Sequence, residues 1–255
     1  MRVVLHSIMS SISSECRIGK FIPMRHVESG LWHGSDHERK FIRNLKSEPL
    51  TWYYRNNQVT YTLNSMGYRA PEFDMIDWNN SIVLIGCSNV FGVGLSNSHT
   101  IAYQLEQLTG FPVINMGASS TSIQFAFHNN IMLHTGYPVP KAVINIWSGK
   151  DRCIYYNEDS VHNFGPWDTE SGSYYDKWTE KMSHSDANAV LLTMAVRQLW
   201  KDKTNYYEAS FFENTSVLLN IPELNKLDYA RDLTHPGIQS TGVAAQTLAT
   251  GLGLG

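Results

Sequence analysis

Ser81-Ile82-Val83-Leu84-Ile85-Gly86-Cys87-Ser88 is the stretch from which the fold is read. Four aliphatic residues in a row, with no polar alternation, suit a strand buried on both faces of a sheet. The run ends in glycine and a serine follows almost at once. Downstream the pattern repeats. Ile101, Ala102, Leu105 and Leu108 recur at helical spacing and stop before Gly110. Residues 112–115 read as a second strand closed by Gly117, residues 123–133 as a helix and residues 142–147 as a third strand. The helical pattern of residues 187–200, with Val190, Leu191, Met194 and Leu199 on one broad face, is the strongest in the chain. Residues from Pro236 onward read as a closing helix. Strands alternating with helices in this way predict a three-layer α/β/α fold around a parallel sheet of about five strands.

Upstream of residue 80 the character differs. Residues 24–56 mix His, Arg, Glu, Trp and Tyr without periodicity, and read as loops and short strands. Residues 57–63 alternate Val59, Tyr61 and Leu63 against polar neighbours, which predicts a half-buried strand. The expected division is therefore an N-terminal extension over residues 1–79 and an α/β domain over residues 80–255. The extension carries no assigned chemistry; a homo-oligomer contact through it is one open use.

Composition limits the function classes. The 255 residues carry 20 Lys and Arg against 23 Asp and Glu, a formal charge of −3. A near-neutral chain has no counterion-releasing basic face, so a nucleic-acid partner is not expected. With 42% apolar residues the chain can offset the entropy of ordering, so disorder is not expected either. The first ten residues hold an apolar stretch broken by His6 and Ser7, too short for a signal peptide. No run reaches the roughly 18 apolar residues of a membrane span. Cys16, Cys87 and Cys153 are odd in number and widely spaced, which fits free thiols rather than disulfides or a zinc site. A cytoplasmic protein with no membrane partner is the expectation.

In open parallel sheets ligands bind at the carboxyl ends of the strands. Three such ends carry polar groups: Ser88, Asn115-Met116-Gly117, and Ser148-Gly149-Lys150-Asp151-Arg152. Near the end of the chain stands Asp232-Leu233-Thr234-His235-Pro236. A serine, a histidine that takes its proton and a carboxylate that orients the histidine make a hydrolytic triad. The Asp-x-x-His spacing alone is weak. Ten histidines, each with a 23 in 255 chance of an acid three residues earlier, give about 0.9 such pairs by accident. The chain has two, and Asp159/His162 lies in a stretch that reads as loop. Gly86-Cys87-Ser88-Asn89-Val90 lacks the second glycine of a Gly-x-Ser-x-Gly elbow, which argues against the ordinary α/β-hydrolase class. Nor does Gly86 to Gly94 end in the Gly-Lys-Ser/Thr of a phosphate loop. His128 and His134, six apart, fall on different helix faces and do not make a metal site.

The combination of pieces, in this order, resembles the SGNH (GDSL-like) hydrolase family. Gly86-Cys87-Ser88 and Gly92 are similar to its first block, with Cys87 in the place of an aspartate. Asn115-Met116-Gly117 is similar to the second block, and Asp232 to Pro236, preceded by Ala230-Arg231, to the last. The stretch Tyr61 to Arg69 resembles a lead-in of some members. The likeness spans about residues 81 to 250. In the third block, Gly-x-Asn-Asp in the family, the nearest alignment puts Lys150 where an asparagine donates to the oxyanion.

The resemblance implies roles. Ser88 would be the nucleophile and donate its backbone N–H to the oxyanion. Gly117 would give a second N–H, with Lys150 or the strand residue Asn145 as substitutes for the third donor. His235 would be the base and Asp232 its orienting partner. The implied activity is serine ester hydrolysis through an acyl-enzyme, on short acyl or O-acetyl esters including those of carbohydrate, with no metal or organic cofactor. The expected partner is a small-molecule ester. Two alternatives stay open: a non-catalytic binding or assembly protein on the same fold, and an acyltransferase using the same triad. The aromatic-rich residues 155–178 could line the site, flank the core or form an oligomer contact.

Overall fold

The computed structural model describes residues 21–24, 28–156, 161–168, 170, 172–180 and 182–254. The first helix, α1 (Glu38–Ser47), belongs to the extension, and His37 caps it by accepting from the Lys40 N–H. The strand β1 (Ile82–Gly86) follows and runs into the single-turn helix α2 (Ser88–Phe91). Then come α3 (Ile101–Thr109), β2 (Val113–Gly117), α4 (Ile123–Gly136) and β3 (Ala142–Trp147). Thr100 and Ser122 cap α3 and α4 with their hydroxyls, satisfying N–H groups that the first turn leaves unpaired. The remainder comprises β4 (Cys153–Tyr156), β5 (Val161–Phe164), α5 (Tyr174–Thr179), α6 (Met182–Trp200), β6 (Asn205–Ser210), α7 (Glu213–Leu219) and α8 (Ile238–Gly251).

The central sheet has the order β2-β1-β3-β6 with every pair parallel. Among the described residues it has four strands, not the five expected. Side chains alternate across β1 and divide the core. Val83 and Ile85 join Phe125, Leu133, Val196 and Trp200 on one face, where α4 and α6 pack. Ile82 and Leu84 join Ile101, Leu105, Ala245 and Leu248 on the other, under α3 and α8. That is the α/β/α layering the sequence predicts.

Several elements depart from the expectation, beginning with α1, a helix of ten residues within residues 24–56 that read as loops and short strands. The edge strand β6, Asn-Tyr-Tyr-Glu-Ala-Ser, lacks an apolar run because, apart from a single bridge from Ser210 to Glu223, only one side of it is paired and its first residue is exposed. Residues 153–164, read as loop, hold the antiparallel ribbon β4–β5, in which His162 stands opposite Tyr155. Asp159 lies outside the described residues. Residues 57–63 form no strand; Tyr61 makes one isolated bridge, to Gly30.

The extension is packed onto the α/β core. Tyr54, Val59 and Tyr61 cluster with Phe91, Val93, Leu95 and Ala230, which flank the carboxyl edge of the sheet. Cys87 and Cys153 are buried free thiols, and Cys16 lies outside the described residues. Among the described residues no helix is long and apolar enough to cross a membrane.

Candidate active site

Ser88 begins α2 directly beyond β1 and is 6% exposed. The helix lies so close to β2 that a Cβ on Gly117 would collide with the Phe91 backbone. The side chain of Asn115 ties the same junction, donating to Val90 O at 3.0 Å. Its Oδ1 accepts the Gly117 N–H at 3.0 Å. The donor expected from Gly117 is therefore engaged within its own strand end, and glycine is needed there for close approach.

Asp232 and His235 form the best-defined part of the site. His235 Nδ1 lies 2.7 Å from Asp232 Oδ2. The carboxylate can only accept, so this nitrogen carries the proton and Nε2 is left as the basic atom. Asp232 Oδ1 accepts the Thr234 and His235 N–H groups, both at 3.1 Å, which closes the turn. Leu233, inside that turn, is held at φ 54°, the left-handed region that costs a branched side chain about 1 kcal/mol. Ser35 Oγ adds a bond to Oδ2 at 2.6 Å. Burial pushes the Asp232 carboxyl up, but the bonds from His235 and Ser35 outweigh it and hold the group well below the usual carboxylate range. The last helix takes its cap elsewhere: Asp228 accepts from the Gln239 and Ser240 N–H groups.

Two contacts hold the Ser88 segment against this turn. Gly94, at φ 79°, carries the chain where a Cβ would lie 2.8 Å from Ala230 Cβ and 3.2 Å from Asp232 N, and its carbonyl accepts the Arg231 N–H at 3.1 Å. His33 stacks on Phe91 with ring centroids 4.3 Å apart and meets Ser119 Oγ through Nε2 at 2.6 Å. Burial, then the Arg69 charge, lowers the His33 pKa to about 4, so its ring is neutral near pH 7. Among the described residues the Ser88 hydroxyl and His235 Nε2 make no hydrogen bond, to each other or to another group.

The two other expected oxyanion donors are committed elsewhere. Lys150 Nζ pairs with Asp186 on α6, and the Lys150 N–H donates to Thr215. Asn145 is fully buried within β3 and bonds Asn130 and Tyr206. A lysine with a carboxylate in reach and an amide inside a buried network are not free donors.

Several residues at this edge were not foreseen. Ser35, His33 and Lys40 come from the extension; Lys40 Nζ donates to Thr234 Oγ1 at 2.6 Å and stands 3.9 Å from Asp232. Nothing in their spacing marks them, since Ser35 and Lys40 meet partners 197 and 194 positions away and His33 meets Ser119 across 86. Ser120, just beyond β2, is held at φ 61°. A serine there carries strain that sequence pattern does not display.

No family model matches this chain, and no curated protein matches it. Among solved structures it is similar to an acetyl xylan esterase from Butyrivibrio proteoclasticus, with 11% identity over 71% of this chain and 66% of that one, TM-score 0.45. It is similar also to a family two carbohydrate esterase from Clostridium thermocellum, with 13% identity over 69% and 65%, TM-score 0.44. A member of the lipolytic G-D-S-L family from Veillonella parvula is similar at 10% identity over 67% and 98%, TM-score 0.42. The parallel sheet gives this chain a layered α/β/α fold, with a serine opening the turn after β1 and an Asp-x-x-His turn ahead of the last helix.

Proposed function

We propose that the chain hydrolyses a carboxylic ester through an acyl-enzyme on Ser88. The observation that carries this reading is the Asp232–His235 pair, with its buried carboxylate bound by four donors and its Nε2 left unpaired. A histidine held this way is a base in the correct tautomer. Ser88 Oγ attacks the ester carbonyl and its proton passes to His235 Nε2. The C–O bond to the alcohol breaks, and the alcohol leaves with that proton. Water, deprotonated by the same nitrogen, then releases the acid. The Ser88–His235 bond this needs is one that tightens when substrate enters, as catalytic bonds in empty sites do. The Ser88 N–H, at the start of α2, is one oxyanion donor. The second is read from the turn beyond β2 that holds the strained Ser120, because the Gly117 N–H is already engaged. Short acyl esters, including O-acetyl groups on carbohydrate, are the substrate class proposed.

Hydrolysis of p-nitrophenyl acetate tests this. Ser88→Ala should abolish it while the thermal melt stays unchanged; equal rates in the two proteins would sink the assignment of Ser88.

One observation favours a second reading, a non-catalytic binding protein on this fold. Both candidates for the third oxyanion donor, Lys150 in the third block and the strand residue Asn145, are engaged by other groups. A fluorophosphonate that labels Ser88 excludes it, and one that labels nothing supports it.

A further inference from the structure

Three of the four donors to Asp232 belong to its own turn. The fourth, Ser35 Oγ, comes from 197 positions away and meets Oδ2 at 2.6 Å, the oxygen that also receives His235 Nδ1. The same hydroxyl stands 3.5 Å from His235 Nδ1, so it lies beside the Asp–His bond rather than behind the carboxylate.

Ser35 is not free to wander. It sits in a tight turn closed by reciprocal His33–Asp36 backbone bonds of 2.9 and 3.0 Å, with Gly34 at φ 59°. On one side the turn is anchored by His33, through Ser119 and the Phe91 ring. On the other, Asp36 is gripped by Arg231 Nε at 2.9 Å and Nη2 at 2.7 Å, and by Tyr61 OH at 2.5 Å. Arg231 directly precedes Asp232. The device that docks the Ser35 turn is thus built into the segment that carries the carboxylate, which sets the hydroxyl relative to Oδ2 with little freedom to lose.

We propose that Ser35 is a positioning residue for the Asp232–His235 pair: its hydroxyl holds Oδ2 in line with His235 Nδ1 and takes up part of the carboxylate charge. The assignment rests on the hydrolase reading given above. It makes the extension part of the site rather than a cover over it.

The charged and titratable groups around the pair are few. Lys40 stands 3.9 Å from Asp232 Oδ2, and Lys226 donates to the Thr234 carbonyl at 3.4 Å. His33 acts on His235 through space, and Tyr54 feels Asp232. Arg231 is occupied by Asp36. None of these replaces a lost hydroxyl at Oδ2, because each is fixed by another contact or stands beyond hydrogen-bond reach.

Removing the hydroxyl has a definite sign. Without it the Asp232 carboxylate is a stronger base and stabilises the imidazolium more. The acid limb of the pH–rate profile then moves to higher pH, by about half a unit or more. A loss of alignment adds a fall in kcat of roughly tenfold with KM little changed.

The test compares wild type, Ser35→Ala and Ser35→Thr as full chains, with thermal melts to confirm folding. Ser35→Ala should move the acid limb upward and lower kcat, and Ser35→Thr, which keeps a hydroxyl, should restore both. A second readout needs no substrate. The low-field proton resonance of the His235 Nδ1–H, identified by its loss in Asp232→Asn, should move further downfield in Ser35→Ala. An unmoved resonance together with an unmoved profile overturns the proposal, as does a threonine variant as impaired as the alanine. If wild type hydrolyses no ester, the hydrolase reading fails and the resonance alone decides Ser35.

Discussion

Arg231 and Asp36 stand 195 residues apart in the chain and form a buried, forked ion pair, with Nε 2.9 Å and Nη2 2.7 Å from the carboxylate. Both side chains are almost wholly out of water, at 3% and 1% exposure. The Arg231 guanidinium also stacks 4.4 Å from the centre of the Trp32 ring. The pair is the joint between the extension and the turn that carries Asp232.

Breaking that joint on one side should be severe. Asp36→Asn or Arg231→Met leaves an uncompensated buried charge, and we expect a loss of about 3–5 kcal/mol in urea unfolding. A paired apolar replacement of both residues should recover much of it. Single variants as stable as wild type would contradict the burial of the pair.

Asp232→Asn should lower ester hydrolysis by about 10³-fold or more, because an amide can donate and so favours the wrong imidazole tautomer. The carboxyl is held below its ordinary value in the folded chain. Its contribution to stability is therefore present above the unfolded carboxylate pKa, near 4, and is lost as pH falls further. Denaturation midpoints taken from pH 5 downward should fall less steeply in Asp232→Asn than in wild type.

His33 acts with the same sign in a higher pH window. Its folded pKa is lowered to about 4 from 6.5 by burial. Between those values the unfolded chain binds the extra proton, so stability rises with pH through this window and is lost as pH falls. His33→Gln removes the titration, and its melting temperature should vary less between pH 6.5 and pH 4. A wild-type slope retained in the variant would assign it to another group.

Lys150 tests the oxyanion assignment. Since its ammonium pairs with Asp186, Lys150→Ala should change kcat for p-nitrophenyl acetate by less than about threefold, against the 10²–10³-fold typical of a lost oxyanion donor. A loss of that larger size would return Lys150 to the site. Gly117→Ala, by contrast, forces a methyl into the Phe91 backbone and should destabilise the fold by about 2 kcal/mol or more.

The layers of this protein were legible from local pattern. The aliphatic runs of β1 and β3 are buried on both faces, so their residues are apolar except Asn145, which finds hydrogen-bond partners in Asn130 and Tyr206. Asp232 and His235 were legible only together with the serine and glycine blocks upstream, since their three-residue spacing, which lets one turn close a hydrogen bond between them, recurs by chance. The edge strand β6 was not, because its Tyr and Glu side chains meet partners that only the fold supplies, Asn145 for Tyr206 and Arg197 for Glu208. The same holds for Lys150, whose aligned position pointed to the oxyanion while the carboxylate on α6 draws it away.

Amino-acid order alone determined the α/β class, the serine at the end of the first strand and the Asp–His turn, all of which follow from contacts between near neighbours. Tertiary structure decided the rest: that Ser35 and His33, from a segment without periodicity, reach the carboxyl edge of the sheet, and that Gly117, Lys150 and Asn145 are engaged by other groups. Those outcomes depend on which surfaces meet after the layers have packed. A hydrogen bond across two hundred residues leaves no trace in spacing, because its geometry is set by docking of whole elements and not by the chain between them.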